Sequence, residues 1–117
     1  MADLLVDTDV FIDHLRGRNR FVAEGHAISV SVVTRAELFA GPAAQEEPAR
    51  ALLTPFRELG ITSSIAEGAG RIRRESGVLL PDALIAATAI EWDLELLSGN
   101  LRDFRRIEGV RLHMARG

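Results

Sequence analysis

The chain has 117 residues, a formal net charge of −3 and no cysteine, which excludes disulfide bonds and thiolate metal sites. Its composition, 47% hydrophobic and 26% charged, is that of one soluble globular domain, which we expect to span residues 1–117. Every basic residue is an arginine, so mechanisms that need a catalytic lysine are excluded. No apolar stretch approaches the ~18 residues that span a membrane. The first residues lack the basic segment of a secretory signal, so we expect a cytoplasmic protein.

Strand-like and helical patterns alternate from the start of the chain. Residues 4–6 form an apolar run typical of a buried strand, and a helix follows over about residues 9–15. The alternating, β-branched run 28–33 predicts a second strand. The next helix starts near Thr34 and ends at Gly41, because glycine commonly follows the last turn of a helix.

The second half of the chain continues this alternation. It contains predicted helices over residues 45–59, 64–75 and 81–92, and predicted strands over residues 61–63, 94–98 and 110–114. Residues 99–106 form a loop or a short helix. Strands that alternate with helices predict an α/β sandwich around a mainly parallel sheet.

Carboxylates occur where predicted strands end or predicted helices begin, the edge at which such sheets bind ligands. Asp7 and Asp9 follow the first strand, and Glu37 lies in the first helical turn after the second. Asp82 lies at the start of the alanine-rich helix, and Asp103 follows the next strand. Converging carboxylates raise one another's pKa unless a cation neutralises them, and Mg²⁺ prefers such oxygen ligands. The pattern predicts a metal site suited to cleaving phosphodiester bonds.

Each acid taken alone also has a simpler explanation. Asp7 or Asp9 could cap the first helix, and Asp82 could cap the alanine-rich helix. Asp103 could be an exposed loop acid paired with a neighbouring arginine, which contributes little to stability. Glu37 could form a capping box with Thr34, three residues before it. The metal-site interpretation therefore depends on all the acids meeting in one place.

Four stretches together resemble PIN-domain ribonucleases of the VapC type, the toxins of bacterial and archaeal toxin–antitoxin modules. They are LLVDTDVFIDHL, VSVVTRAELFAG, LLPDALIAATA and LELLSGNLRDFRRIEGVRL, and their order and spacing cover essentially the whole chain. The resemblance implies a PIN-like three-layer α/β/α sandwich with a mainly parallel central sheet. It also implies Mg²⁺- or Mn²⁺-dependent cleavage of RNA by a metal-activated water.

The resemblance assigns roles to individual residues. It implies that Asp7, Glu37 and Asp82 hold the metal, directly or through water, and that Asp103 completes the site. Family members often have Ser or Asn where this chain has Asp9, which we expect to support the ligands or cap the helix. The other expected contributors surround these acids and are Thr8, Thr34, Ser98 and Asn100.

The resemblance also implies partners. Family members usually form homodimers and bind a cognate VapB-type antitoxin, which inserts a segment into a groove of the toxin, so contact with DNA would be only indirect. Candidate groove walls are residues 38–40 with Leu52, Leu53 and Phe56. Arginine clusters could contact the RNA backbone or form a solvated face: Arg16, Arg18 and Arg20; Arg71, Arg73 and Arg74; and Arg102, Arg105 and Arg106.

Other functions share part of this pattern. LLVDTDV also resembles the first motif of haloacid-dehalogenase-like phosphatases, in which Asp7 would be the covalent nucleophile and Asp9 the general acid. A receiver domain carries acids after its first strand but needs a later aspartate, and residues 46–81 contain none. Both classes use a lysine that this chain lacks. A catalytically silent PIN-fold binding module is the remaining alternative.

Overall fold

Four parallel strands form the centre of the molecule in the computed structural model, which describes residues 1–114. The strands are β1 (Asp3–Val6), β2 (Ala27–Ser31), β3 (Arg57–Leu59) and β4 (Glu95–Leu97). They lie in the order β3-β2-β1-β4, and each neighbouring pair is parallel. The prediction of a mainly parallel sheet is therefore confirmed.

Helices cover both faces of this sheet. They are α1 (Thr8–Leu15), α2 (Val32–Phe39), α3 (Glu46–Leu53), α4 (Ser63–Ser76), α5 (Leu80–Glu91) and α6 (Leu101–Phe104), with a 3₁₀ turn at Ala43–Gln45. One apolar core joins α1, α2 and α3 to the sheet, and a second joins α4, α5 and α6 to the opposite face. The structure is thus the predicted three-layer α/β/α sandwich.

The central strand β1 shows why this sheet is buried on both faces. Leu4 and Val6 pack into the core with α1–α3, whereas Leu5 packs into the core with α4–α6. Successive side chains of a strand point to opposite faces, so a continuous apolar run fits a strand that is covered on both sides. The break from this run to Asp7 marks the point at which the strand emerges.

The middle of the chain departs from the sequence prediction. The helix predicted over residues 45–59 ends at Leu53, and its last part forms β3 instead. The strand predicted at residues 61–63 is also wrong, because Thr62 caps α4 by accepting from the Ile65 amide at 3.2 Å. As an edge strand with two exposed residues, β3 lacks the apolar alternation by which strands are recognised.

Helix starts also differ from the predicted caps. The strand β2 ends at Ser31, whose hydroxyl caps α2 by accepting from the Val33 amide at 3.0 Å, so the capping box of Thr34 is wrong. Leu79, and not Asp82, occupies the cap position of α5. The capping role of Asp7 is confirmed for α1.

The end of the described chain is less regular than predicted. In place of the strand at residues 110–114, a single parallel bridge joins Leu112 to Leu96. Residues 99–106 contain the short helix α6. Within residues 1–114, no helix combines the length and the apolar character needed to cross a membrane.

Candidate functional site

The acids meet at the edge where the parallel strands end. Asp7 follows β1 directly, Glu37 lies on α2 after β2, and Asp103 lies on α6 after β4. Asp82 joins them from the first turn of α5. All strands run in the same direction, so their carboxyl ends lie at one edge although the residues are distant in sequence.

Asp7 is the most enclosed of these carboxylates, with only 4% of its surface exposed. Its Oδ1 accepts from the Thr8 amide at 2.9 Å, and its Oδ2 accepts from the Ser98 hydroxyl at 2.8 Å. Burial, followed by the nearby charge of Asp9, raises the Asp7 pKa from 3.8 to about 7 despite these two hydrogen bonds. Two hydrogen bonds therefore hold the Asp7 carboxylate, and no basic side chain among residues 1–114 forms an ion pair with it.

Glu37 is oriented by a chain of hydroxyl groups. The Thr8 hydroxyl donates to Glu37 Oε1 at 2.7 Å and lies 2.9 Å from the Thr34 hydroxyl. Because Thr8 has one hydroxyl proton, its oxygen must accept from Thr34 when it donates to Glu37. Thr34 is completely buried and Thr8 is nearly so, whereas Glu37 is exposed. The hydrogen-bonded hydroxyls therefore lead from the interior of the molecule to the glutamate at its surface.

Asp82 and Asp103 are linked through the side-chain amide of Asn100. Asn100 Nδ2 lies 3.0 Å from Asp103 Oδ2 and 3.5 Å from Asp82 Oδ2. Burial raises the pKa of Asp82, and the carboxylates of Glu37, Asp103 and Asp9 raise it further. The Asn100 amide places partial positive charge between two acids that otherwise repel each other.

Asp9 approaches the backbone of the segment after β4. Its Oδ2 accepts from the Gly99 amide at 3.0 Å, whereas its buried Oδ1 has no hydrogen-bond partner among residues 1–114. A Cβ atom at Gly99 would lie 2.8 Å from Asp9 Oδ2, so a larger residue here would displace the Asp9 carboxylate. Asp9 thus faces the site and does not cap α1.

The tripeptide Ser98-Gly99-Asn100 supplies hydrogen-bond donors to four carboxylates. Ser98 contacts Asp7, Gly99 contacts Asp9, and Asn100 contacts the remaining pair. The backbone N–H of Asn100 in turn donates to the Ser98 hydroxyl oxygen at 2.8 Å. The sequence predicted Ser98 and Asn100 as contributors around the acids but missed Gly99. The available signal was a run of small polar residues directly after a strand.

The chemistry of the site fits a hard cation. Its donors are carboxylate oxygens, which Mg²⁺ and Mn²⁺ prefer, and one of them, Asp9 Oδ1, is a buried acceptor without a partner in the described part of the chain. The arginine that approaches the site is Arg106, whose Nη1 lies 3.9 Å from Asp103 Oδ1. Across residues 1–114, no three acidic or histidine side chains form a closed ligand set. Some ligands would therefore bind through water, as is usual for Mg²⁺.

Two of the predicted groove walls are buried, whereas Phe39, Ala40, Leu52 and Phe56 are partly or fully exposed. Leu38 and Leu53 are buried in the core beside α1, and Phe56 stacks on Phe11 with ring centroids 6.0 Å apart. The prediction that Leu38 and Leu53 line a binding groove is therefore wrong.

Comparisons with known proteins extend over nearly the whole chain. The sequence model of the PIN-domain family matches residues 4–110. Ribonuclease VapC19 of Mycobacterium tuberculosis is 35% identical over 113 residues, which cover 86% of this chain and 90% of the relative. Ribonuclease VapC10 of the same organism is 38% identical over 120 residues, which cover 92% of this chain and 90% of the relative.

Solved structures agree with this similarity. A toxin–antitoxin complex from Klebsiella pneumoniae contains a chain with a TM-score of 0.79 and 33% identity, covering 92% of this chain and 95% of that chain. VapBC2 from Rickettsia felis, bound to a DNA fragment from its promoter, has a TM-score of 0.78 at 20% identity, covering 94% and 96%. Because the Rickettsia felis protein is only 20% identical, this second similarity shows a common fold and nothing more.

Proposed function

This chain belongs to the PIN-domain family, and from that premise we propose that it is a metal-dependent endoribonuclease, the toxin of a VapBC-type toxin–antitoxin pair. The observation that carries the proposal is the meeting of Asp7, Glu37, Asp82 and Asp103 at one edge of the sheet, held by donors from other segments. The relatives named as VapC ribonucleases indicate RNA as the substrate class.

We propose Mg²⁺, with Mn²⁺ as an alternative, as the metal of this site. The raised pKa of Asp7 and of Asp82 means that the folded protein keeps these carboxylates ionised only at a cost in free energy. A divalent cation would remove that cost, and it would supply a Lewis acid at the scissile phosphate and lower the pKa of the attacking water. Asp7, Glu37, Asp82 and Asp103 are the proposed ligands.

The residues around the acids have distinct proposed roles. Ser98 and the Thr8 amide hold both oxygens of Asp7, so this carboxylate presents its remaining lone pairs in a fixed direction. The hydroxyls of Thr34 and Thr8 orient Glu37 in the same way. Fixed ligand orientation lowers the reorganisation needed when the phosphate binds.

The phosphatase alternative has less support. The PIN-domain match extends over residues 4–110 and so accounts for the LLVDTDV stretch that suggested a phosphatase. The chain also lacks the lysine of that family. The silent binding module stays open as an outcome of the test below.

We also propose that a cognate VapB-type antitoxin neutralises this protein in the cytoplasm, that the protein is a homodimer, and that it contacts DNA only through the antitoxin. The similarity to a chain of a solved toxin–antitoxin complex supports the partner class. The acidic site supports a basic partner, because an arginine could neutralise its carboxylates as a cation does.

Incubation of the purified protein with total RNA and MgCl₂ tests the proposal. We expect new 5′ ends at defined positions, which sequencing maps, and we expect no cleavage after EDTA treatment or by the Asp7→Asn variant. Cleavage that persists in Asp7→Asn would exclude the acidic site as the catalytic centre. A folded wild-type protein that cleaves no RNA would instead favour the silent binding module.

A further inference from the structure

The loop that leads to Asp82 is short. Helix α4 ends at Ser76 and α5 begins at Leu80, and Asp82 is the third residue of α5. The Ala83 amide donates to the Leu79 carbonyl at 3.0 Å and so closes the first turn. The position of the Asp82 carboxylate therefore depends on where this loop places the start of α5.

Two guanidinium groups bind the carbonyl groups of this loop. Arg73 Nη1 donates to the carbonyls of Gly77 at 2.9 Å and Val78 at 3.0 Å. Arg106 Nη2 donates to the carbonyl of Ser76. Carbonyls at the end of a helix lack partners within it and carry partial negative charge, so arginine donors are favourable there. Three successive carbonyls are thus bonded to arginine.

Arg106 also approaches one carboxylate of the acidic site, that of Asp103. While its Nη2 bonds the Ser76 carbonyl, its Nη1 lies 3.9 Å from Asp103 Oδ1. The other oxygen of Asp103 accepts from Asn100, whose amide extends towards Asp82. One guanidinium therefore joins the end of α4, just before the loop that leads to Asp82, to the segment that carries Asp103.

The neighbouring arginines differ from Arg106. Arg102 and Arg105 are exposed on and just after α6, and their side chains make no hydrogen bond or ion pair with any other residue in 1–114. Their guanidinium groups are available to a phosphate, whereas those of Arg73 and Arg106 are already bonded to the protein. Within this cluster, Arg102 and Arg105 are thus free to contact a phosphate, whereas Arg106 holds other parts of the protein in place.

We infer that Arg106 is a positioning residue: by bonding the last carbonyl of α4, just before the loop that leads to α5, and by approaching Asp103, it sets the separation of the Asp82 and Asp103 carboxylates. It does this without binding RNA. The effect on catalysis rests on the proposed metal-dependent nuclease function, whereas the effect on the start of α5 does not.

Arg106→Met and Arg105→Met form a matched pair for the test. We expect Arg106→Met to weaken Mg²⁺ binding, measured by calorimetry with MgCl₂ and no RNA, about tenfold, as for other partners that orient metal ligands. Its kcat at limiting Mg²⁺ should fall by a similar factor with KM for RNA unchanged, and excess Mg²⁺ should restore kcat. Arg105→Met should raise KM and leave Mg²⁺ affinity unchanged. Arg106→Lys should recover only part of the loss, because an ammonium cannot reproduce the two-sided contact.

Two results would overturn the inference. A higher KM with unchanged Mg²⁺ affinity in Arg106→Met would make Arg106 an RNA contact, and wild-type values throughout would leave it without a role. Failure of the wild-type protein to bind Mg²⁺ or to cleave RNA would instead overturn the proposed function. In that case amide hydrogen exchange decides: faster exchange at Ala83 in Arg106→Met than in Arg105→Met supports positioning, and equal rates overturn it.

Discussion

Replacement of Asp7 by asparagine should stabilise the metal-free protein at alkaline pH. In the unfolded chain Asp7 loses its proton near its ordinary pKa of 3.8, whereas in the folded protein it keeps the proton until about pH 7. Between these values the folded state binds more protons, so the free energy of unfolding falls as pH rises. Integration over this shift from pH 5 to pH 8 gives a loss of about 2–3 kcal/mol for the wild type. Asparagine does not titrate and removes this loss.

Thermal unfolding in EDTA at pH 5 and pH 8 measures the effect. The melting temperature of Asp7→Asn relative to wild type should rise by about 10 °C between the two pH values, since 1 kcal/mol corresponds to about 4 °C in a domain of this size. Asp3→Asn is the matched control, because it removes a carboxylate that is exposed at the opposite end of the same strand. If the melting temperatures of Asp7→Asn and wild type differed by the same amount at both pH values, the reasoning would be refuted.

Addition of MgCl₂ provides the second half of this prediction. At pH 8 the cation should raise the melting temperature of the wild type, by an amount equivalent to about 2.7 kcal/mol at a hundredfold excess over its dissociation constant. Asp7→Asn should respond less, because it lacks one proposed ligand. The substitution therefore exchanges metal binding and activity for stability, as buried charges at active sites commonly allow.

Three further substitutions test the contacts of the site. Thr34→Val should cost about 1 kcal/mol in urea unfolding and lower kcat, because the buried hydroxyl chain to Glu37 loses its first donor; an unchanged kcat would contradict the orienting role. Gly99→Ala should cost about 1 kcal/mol, because its Cβ would displace the Asp9 carboxylate from the Gly99 amide to which it is bonded. In a double-mutant cycle Asp9→Ala should remove most of that cost; additive effects would argue against the contact. Asn100→Asp should lower the metal-free melting temperature and increase the rise produced by MgCl₂, since a charge replaces a donor between two acids; a smaller rise than in wild type would contradict this.

The sequence predicted the layers of the fold better than the edges of the sheet. The buried strand over residues 4–6 and the alternating strand near residue 28 were recognisable because their side chains face apolar cores. By contrast, β3 is an exposed edge strand of three residues, held in place by its pairing with Ser29–Ser31. Its local pattern resembles the end of a helix, and only the neighbouring strand decides the outcome.

Helix caps show the same distinction. The residues Thr34 and Glu37 match a capping box by spacing alone, yet Ser31 caps α2 and both residues lie further along the helix. This places the Thr34 hydroxyl inside the molecule against Thr8, where it serves the site. A shift of three residues in the helix start therefore decides between the two roles that the sequence left open for Thr34, helix capping and support of the site.

By itself, the sequence determined that this chain would form a parallel α/β sandwich with Asp7, Glu37, Asp82 and Asp103 close to the strand ends, because hydrophobic periodicity is a local property. Only the tertiary structure decided which groups hold those acids: Ser98 contacts Asp7 across 91 positions in sequence, and Thr8 contacts Glu37 across 29. It also decided that Asp7 is buried and that its pKa is raised, because desolvation depends on every segment that packs around a carboxylate.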